Sequence, residues 1–196
     1  EKDRGGEIVD TDLLRDTLSI FQEVGLGTMD TYTNDIEVYM LECTGEYYQK
    51  CASAWIQEDS TPDYLKKAEV RLQEEEARVD KYLHVEGKSE LLKEAYGKLL
   101  EQHQKVLMEK QDSGVYALLK EERTDDLARM FRLFSRLTNG LEPMAKIFKT
   151  FILDAGIELI DGINESVAQT EANREAGKDG GKRLKDRNGG VGFYFL

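Results

Sequence analysis

A chain of 196 residues with 39 acidic and 27 basic side chains carries a net charge of −12, which disfavours nucleic acid and anionic membrane surfaces as partners. Hydrophobic residues make up 40% and charged residues 34%, enough for one or two buried cores beneath a polar helical surface. No apolar run approaches the ~20 residues that cross a bilayer. The opening Glu1-Lys2-Asp3-Arg4-Gly5-Gly6 has neither an initiator Met nor a signal-peptide pattern, and so reads as the interior of a longer protein.

In chain order the spacing predicts helices and no strand, hence an all-α fold. The first helix runs from about Asp10 to Val24, with Leu14, Leu18 and Phe21 inward, and stops at Gly25-Leu26-Gly27. The second runs from about Thr28 to Gln57, where Met29, Tyr32, Ile36, Tyr39, Cys43, Tyr47, Cys51, Ala54 and Trp55 keep helical spacing. Gly45 is expected to weaken it by about 1 kcal/mol relative to Ala. Tyr47, Tyr48 and Trp55 fit core packing by their period, with partial exposure as the alternative.

The third helix is the strongest prediction. Ser60 caps it, with Asp63 three residues on as a shortened capping box and Pro62 in the first turn. Leu65, Ala68, Leu72, Val79 and Tyr82 line one face as far as His84, and Glu75 takes a seam position where a hydrophobe is expected. Asp63 with Lys67 and Glu74 with Arg78 are acid-before-base pairs four apart. Ser89 caps a fourth helix ending near Lys110, with Leu92, Ala95, Leu99, His103 and Val106 on one face. A short helix follows from Ser113. Thr124 caps the next, whose stripe is Leu127, Met130, Phe131, Phe134 and Leu137 and whose end is Asn139-Gly140. Pro143 opens another with Ile147, Phe148, Phe151 and Ile152, and a last helix through Ile157, Ile160, Ile163 and Val167 fades near Asn173.

From Arg174 the composition changes. This stretch holds six of the 17 glycines and six basic against three acidic residues, and it ends on Phe193-Tyr194-Phe195-Leu196. A natural flexible tail and a chain end from a faulty gene model or unspliced intron both fit. The sticky ending favours the second.

Catalytic and metal chemistry find little support. Neither His84 nor His103 follows a Glu by three residues, and there is no His-Glu-x-x-His or Cys-x-x-Cys. Cys43 and Cys51, eight apart on one helix, lie roughly 12 Å apart along its axis, too far for a disulfide, which tolerates about 4.4–6.8 Å. Free thiols in a reducing compartment follow. Glu74-Glu75-Glu76 point about 100° apart and cannot converge on a cation, so a solvated face is expected. Gly25-Leu26-Gly27 lacks the third glycine of a nucleotide loop. Asp112-Ser113-Gly114 resembles the start of a phosphodegron, with Ser113 as a helix cap the simpler reading. Asn164-Glu165-Ser166 is a glycosylation sequon in an unsuitable helical context.

The helix wording carries a resemblance. Tyr64-Leu65-Lys66-Lys67-Ala68-Glu69, Arg71-Leu72-x-Glu74-Glu75 and Arg78-Val79-x-x-Tyr82-Leu83-His84 are similar to the N-terminal helical repeats of cullins. So are Asp125-Asp126-Leu127-Ala128-Arg129-Met130-Phe131-x-Leu133-x-x-Arg136 and Gly140-Leu141-Glu142-Pro143. Tyr47-Tyr48 and Trp55-Ile56-Gln57-Glu58-Asp59-Ser60 look most like the plant SCF-type cullin, and the likeness covers roughly residues 7–172.

The resemblance implies a stacked long-helix cullin-repeat bundle. Residues 1–110 would hold the later part of one repeat and the start of the next, residues 111–173 further repeat helices, and residues 174–196 a non-homologous disordered tail. It implies a non-catalytic scaffold of a cullin-RING ubiquitin ligase in the cytoplasm and nucleus. Such a scaffold has no cofactor, metal, catalytic residue or small-molecule substrate. In the family the adaptor with its substrate receptor and the RING protein bind the two ends, which lie outside these repeats; the residues that meet partners here are not legible. A helical rod subunit of another assembly, such as a vesicle-tethering complex, is the alternative, against which the Arg71–His84 and Asp125–Arg136 wording counts.

Overall fold

The structure is a computed structural model that describes residues 3–24, 36–82 and 85–187. Among the described residues every regular element is helical and none is a strand, as expected for an all-α chain. The helices are α1 (Thr11–Val24), α2 (Val38–Glu58), α3 (Thr61–Tyr82), α4 (Val85–Tyr96, continued by a π turn at Gly97–Glu101), α5 (Gln104–Glu109), α6 (Val115–Lys120), α7 (Thr124–Phe134) and α8 (Glu142–Arg187). Gly25–Gly27, Met29, Tyr32, His84 and residues 188–196 lie outside the described residues, as do the side chains of Phe21 and Tyr82. Two compact units divide the chain, Glu1–Phe148 and Lys149–Leu196.

In the first unit α3 is the central element, packed against α1, α2, α4 and α7. Its apolar stripe Leu65, Ala68, Leu72 and Val79 is buried as its spacing predicts. Tyr48 and Ala52 of α2 join the same core, together with Ala95, Leu99, Leu100, Leu107, Met108, Val115, Leu118, Met130, Leu133 and Phe134. Each such large side chain contributes about 1.5–3 kcal/mol on burial. One core thus runs through helices on both sides of residue 110. Leu141, Met144 and Ile147, at the start of α8, pack on its edge.

The ends of α3 and α7 show why these helices stop where they do. Ser60 Oγ accepts the Asp63 amide (3.3 Å) and donates to Asp63 Oδ2 (2.6 Å), closing the first turn as the capping pattern predicts. At the end of α7, Asn139 takes a positive φ of 57° and Gly140 follows. A Cβ on Gly140 would lie 2.1 Å from the Phe134 carbonyl, so only glycine lets the chain fold back this tightly.

Several expectations are corrected. On α2 the buried face is Thr44, Gly45, Tyr48 and Ala52, whereas Tyr39 and Ala54 are exposed and Cys43, Tyr47, Cys51 and Trp55 are half-buried. The seam is therefore turned by about one residue from the apolar reading. Small Gly45 and the hydrogen-bonded Thr44 occupy it, and neither scores as hydrophobic. A Cβ on Gly45 would lie 2.5 Å from the Glu94 carboxylate, so the glycine sits in the seam beside that side chain. The fourth helix begins at Val85, which places Ser89 inside it rather than at its cap. It is also broken. The π turn, with the Gln102 amide on the Gly97 carbonyl, and the bend at His103 shift the register. Val106 is left exposed and Leu107 and Met108 are buried instead.

Thr124 is the first residue of α7 and forms no side-chain cap. Phe131 is exposed and Leu133 takes its expected place in the core. Where two helices were expected after Pro143, one helix runs unbroken through Gly156 and Arg174 to Arg187.

Candidate functional site: the ion-paired seams of a helix stack

No group of three or more His, Cys, Asp or Glu among the described residues could hold a metal. His103 stands at the bend between the π turn and α5, and burial lowers its pKa. Its Nε2 is buried without a hydrogen-bond partner among the described residues, so the ring is a neutral packed group beside Tyr64 (ring centroids 6.4 Å apart). Cys43 and Cys51 are free.

The charged chemistry lies instead in the seams of α3. The run Glu74-Glu75-Glu76 sends its three carboxylates to three different sets of partners. Glu74 accepts from Arg71 at 2.8 Å at the surface. Glu75 is fully buried, which overturns the expectation of a solvated face. It takes Arg4 Nη2 on Oε1 (2.6 Å) and Arg4 Nε on Oε2 (3.1 Å), and Tyr48 donates its hydroxyl to Oε2 at 2.7 Å. Arg78 Nη1 also donates to Oε2 and is itself bound through Nε to Asp3 Oδ2 at 2.7 Å. Two acids and two guanidinium groups thus balance around one buried point.

Burial alone would raise the Glu75 pKa. The hydrogen bond and charge of Arg4, then Tyr48 and Arg78, outweigh it and hold the carboxyl below its ordinary value. Burial, and then Glu75 itself, push the Tyr48 phenol upward, so its hydroxyl remains a donor.

A second seam joins α3 to α7. Glu69 accepts Arg129 Nε at 2.9 Å and Arg132 Nη2 at 2.7 Å, while Arg129 Nη1 also reaches Asp126 Oδ1 at 3.0 Å. Burial opposes ionisation of Glu69, but the Arg132 and Arg129 hydrogen bonds prevail and lower its pKa. Two turns on, Glu76 accepts from Arg136 and from the Tyr96 hydroxyl (2.6 Å), tying α3, α4 and the residues just after α7 together. The expected pairs Asp63–Lys67 and Glu74–Arg78 are replaced: Lys67 bonds Asp59 (2.7 Å), Asp63 meets Lys66 (3.4 Å), and Arg78 serves Glu75 and Asp3. The i,i+3 neighbours Lys66, Arg71 and Glu75, with the more distant Asp59 and Asp3, displace i,i+4 pairs worth only a few tenths of a kcal/mol.

The third junction closes the N-terminus of α3. The Thr61 amide donates to Ser113 Oγ (3.1 Å), Thr61 Oγ1 donates to the Leu107 carbonyl (3.0 Å), and Lys110 Nζ donates to the Asp59 carbonyl (2.6 Å). Ser113 is buried and makes no cap on α6, contrary to the sequence reading; it serves the distant α3 instead. Further along, Tyr64 donates to the Leu99 carbonyl within the π turn at 2.6 Å.

Sequence reasoning placed Glu75 at a seam but missed Arg4, Thr44 and the Glu69–Arg129–Arg132 set. The available signal was an acid interrupting an apolar stripe, which demands a buried cation elsewhere in the chain.

The second unit carries a helix segment with a different surface. Ile152, Leu153, Ile157, Leu159, Ile160, Ile163 and Val167 are all exposed, interleaved with Glu158, Asp161 and Glu165. Ser166 of the sequon donates to the Ile163 carbonyl at 2.8 Å. No helix among the described residues is long and apolar enough to cross a membrane.

Comparison with known proteins places this helix stack in a family. The profile of the cullin alpha solenoid domain matches residues 1–179. Cullin-1 of Oryza sativa subsp. japonica is 42% identical over 175 residues, covering 89% of this chain and 24% of that protein. Cullin-2 of Arabidopsis thaliana is 38% identical over 172 residues, covering 88% and 23%. Cullin-3 of Dictyostelium discoideum is 32% identical over 156 residues, covering 80% and 20%. The chain spans less than a quarter of the length of these relatives.

Proposed function

This chain belongs to the cullin family, and we propose that it is a segment of the rigid helical spacer in an SCF-type cullin-RING ubiquitin ligase. The supporting observation is the first unit. One apolar core and three polar junctions fix α3 against its neighbours, as a part whose task is to hold distance requires. In a full-length family member an adaptor with its substrate receptor and a RING protein would occupy the two ends. The spacer would set how close a substrate lysine comes to the charged conjugating enzyme, raising effective concentration without forming bonds itself. The segment is non-catalytic on this reading and works in the cytoplasm and nucleus. A vesicle-tethering rod, the other reading of long stacked helices, has no support from the family membership.

A chimera tests this. Residues 3–187 replace the matching segment of a full-length rice Cullin-1, with and without Leu72→Ala. The chimera should transfer ubiquitin to receptor-bound substrate. Leu72→Ala, by loosening the core, should reduce that transfer several-fold while leaving RING-dependent discharge of ubiquitin to free lysine unchanged. Equal loss of both activities, or substrate transfer indifferent to a loosened spacer, would refute the proposal.

A further inference from the structure

The pocket around Glu75 is shaped for one kind of cation. Its floor is a carboxylate whose side chain is 1% exposed, and the Arg4 side chain above it is 9% exposed. Arg4 offers Nε and Nη2 to the two carboxylate oxygens, a two-point contact that a planar guanidinium makes and an ammonium does not. Nη2 also donates to Thr44 Oγ1 at 2.6 Å. The Thr44 hydroxyl already spends its proton on the Met40 carbonyl (2.6 Å), so it presents lone pairs alone. The rings of Tyr47 and Tyr48 form two walls at 81° to each other, 5.7 and 5.8 Å from the guanidinium carbon. Tyr47 further donates to the Arg4 carbonyl at 3.4 Å.

Every wall of this pocket comes from α2 and α3, while the guest comes from the segment before α1. That segment has one more tie close by, Asp3 to Arg78.

We propose that Thr44, Tyr47, Tyr48 and Glu75 form a guanidinium-binding pocket between α2 and α3, filled within the chain by Arg4 as a latch and able to take a small alkylguanidinium when that side chain is removed. The latch fixes residues 3–6 to the α2–α3 seam, and its strength depends on guanidinium shape as well as on charge.

The experiment is chemical rescue in the full chain. Arg4→Ala deletes the atoms that ethylguanidinium carries, so thermal unfolding is followed with millimolar ethylguanidinium, far below denaturing concentrations, or ethylammonium. Arg4→Ala should melt several degrees below wild type. Ethylguanidinium should recover most of that loss, ethylammonium little of it, and neither should move wild type or the Arg4→Ala/Glu75→Gln double variant. If Arg4→Ala alone lacks a cooperative transition, ethylguanidinium should restore one. Arg4→Lys, which keeps the charge, should still melt below wild type. The pocket is refuted if Arg4→Ala or Arg4→Lys melts with wild type, if both cations rescue equally, or if rescue persists in the double variant.

Discussion

The stripe on α3 and the stripe on α8 between Ile152 and Val167 read alike in sequence and differ in the fold. Both repeat apolar residues mostly at threes and fours among acids, with one step of seven on α3 and one of five on α8. On α3, Leu65, Ala68, Leu72 and Val79 are buried against four other helices. On α8, Ile152, Ile157, Ile160, Ile163 and Val167 are each about half or more exposed (50–62%). Periodicity therefore identifies the face that wants a partner and says nothing about whether one is present.

The sharpest way to break the comparison is to strike the buried side. Glu75→Ala leaves Arg4 and Arg78 without their shared carboxylate and should cost roughly 3–5 kcal/mol in a urea melt. A cost under about 1 kcal/mol would mean the carboxylate is solvated in solution. Leu72→Ala should follow at about 2–5 kcal/mol, through lost burial and the cavity left behind. The neighbouring exposed Gln73→Ala should stay within about 0.5 kcal/mol and fixes the register of the helix.

Acid should act on the same side. Glu75 and Glu69 are both held below the ordinary value of 4.5 in the fold. The unfolded chain takes up these protons first. Their contribution is therefore complete above about pH 4.5 and is lost as pH falls through the lower folded values. His103 is also held below its ordinary value of 6.5, so a smaller loss begins as pH drops below about 6.5. Melting temperature against pH should show both limbs, and Glu75→Gln should flatten the acidic one.

Smaller effects belong to the surface. Arg132, about half exposed, shares Glu69 with Arg129, and Arg132→Ala should cost about 0–1 kcal/mol. On the α8 face, Ile160→Ala should fall within about 0.5 kcal/mol. A cost near that of Leu72→Ala would show that this stripe is covered in solution, which sedimentation at several concentrations would then trace to a second copy.

Legibility followed the same line. α3 is readable because caps, length and apolar period agree, and the wording that carries the family resemblance lies mostly on α3 and α7. The α2 register was misread since Thr44 and Gly45 are small or polar and yet take the closest contacts. The break after Tyr96 opens on Gly97, a weak helix former, but its other tie, Tyr64 to the Leu99 carbonyl, comes from 35 residues away and no local pattern shows it. Arg4 lies 71 residues from Glu75, and no local pattern could join them.

The junction at Thr61 has a consequence for how the molecule opens. Ser60 protects the Asp63 amide from within its own turn, but the partner of the Thr61 amide among the described residues is Ser113, 52 residues further along. Its deuterium uptake therefore reports separation of the start of α3 from the segment before α6. A kinase reaching Asp112-Ser113-Gly114 would meet the serine only in that separated state. Phosphate added there would hold the first turn of α3 open, because a phosphate dianion is too large and too costly to desolvate for the buried place that Ser113 occupies.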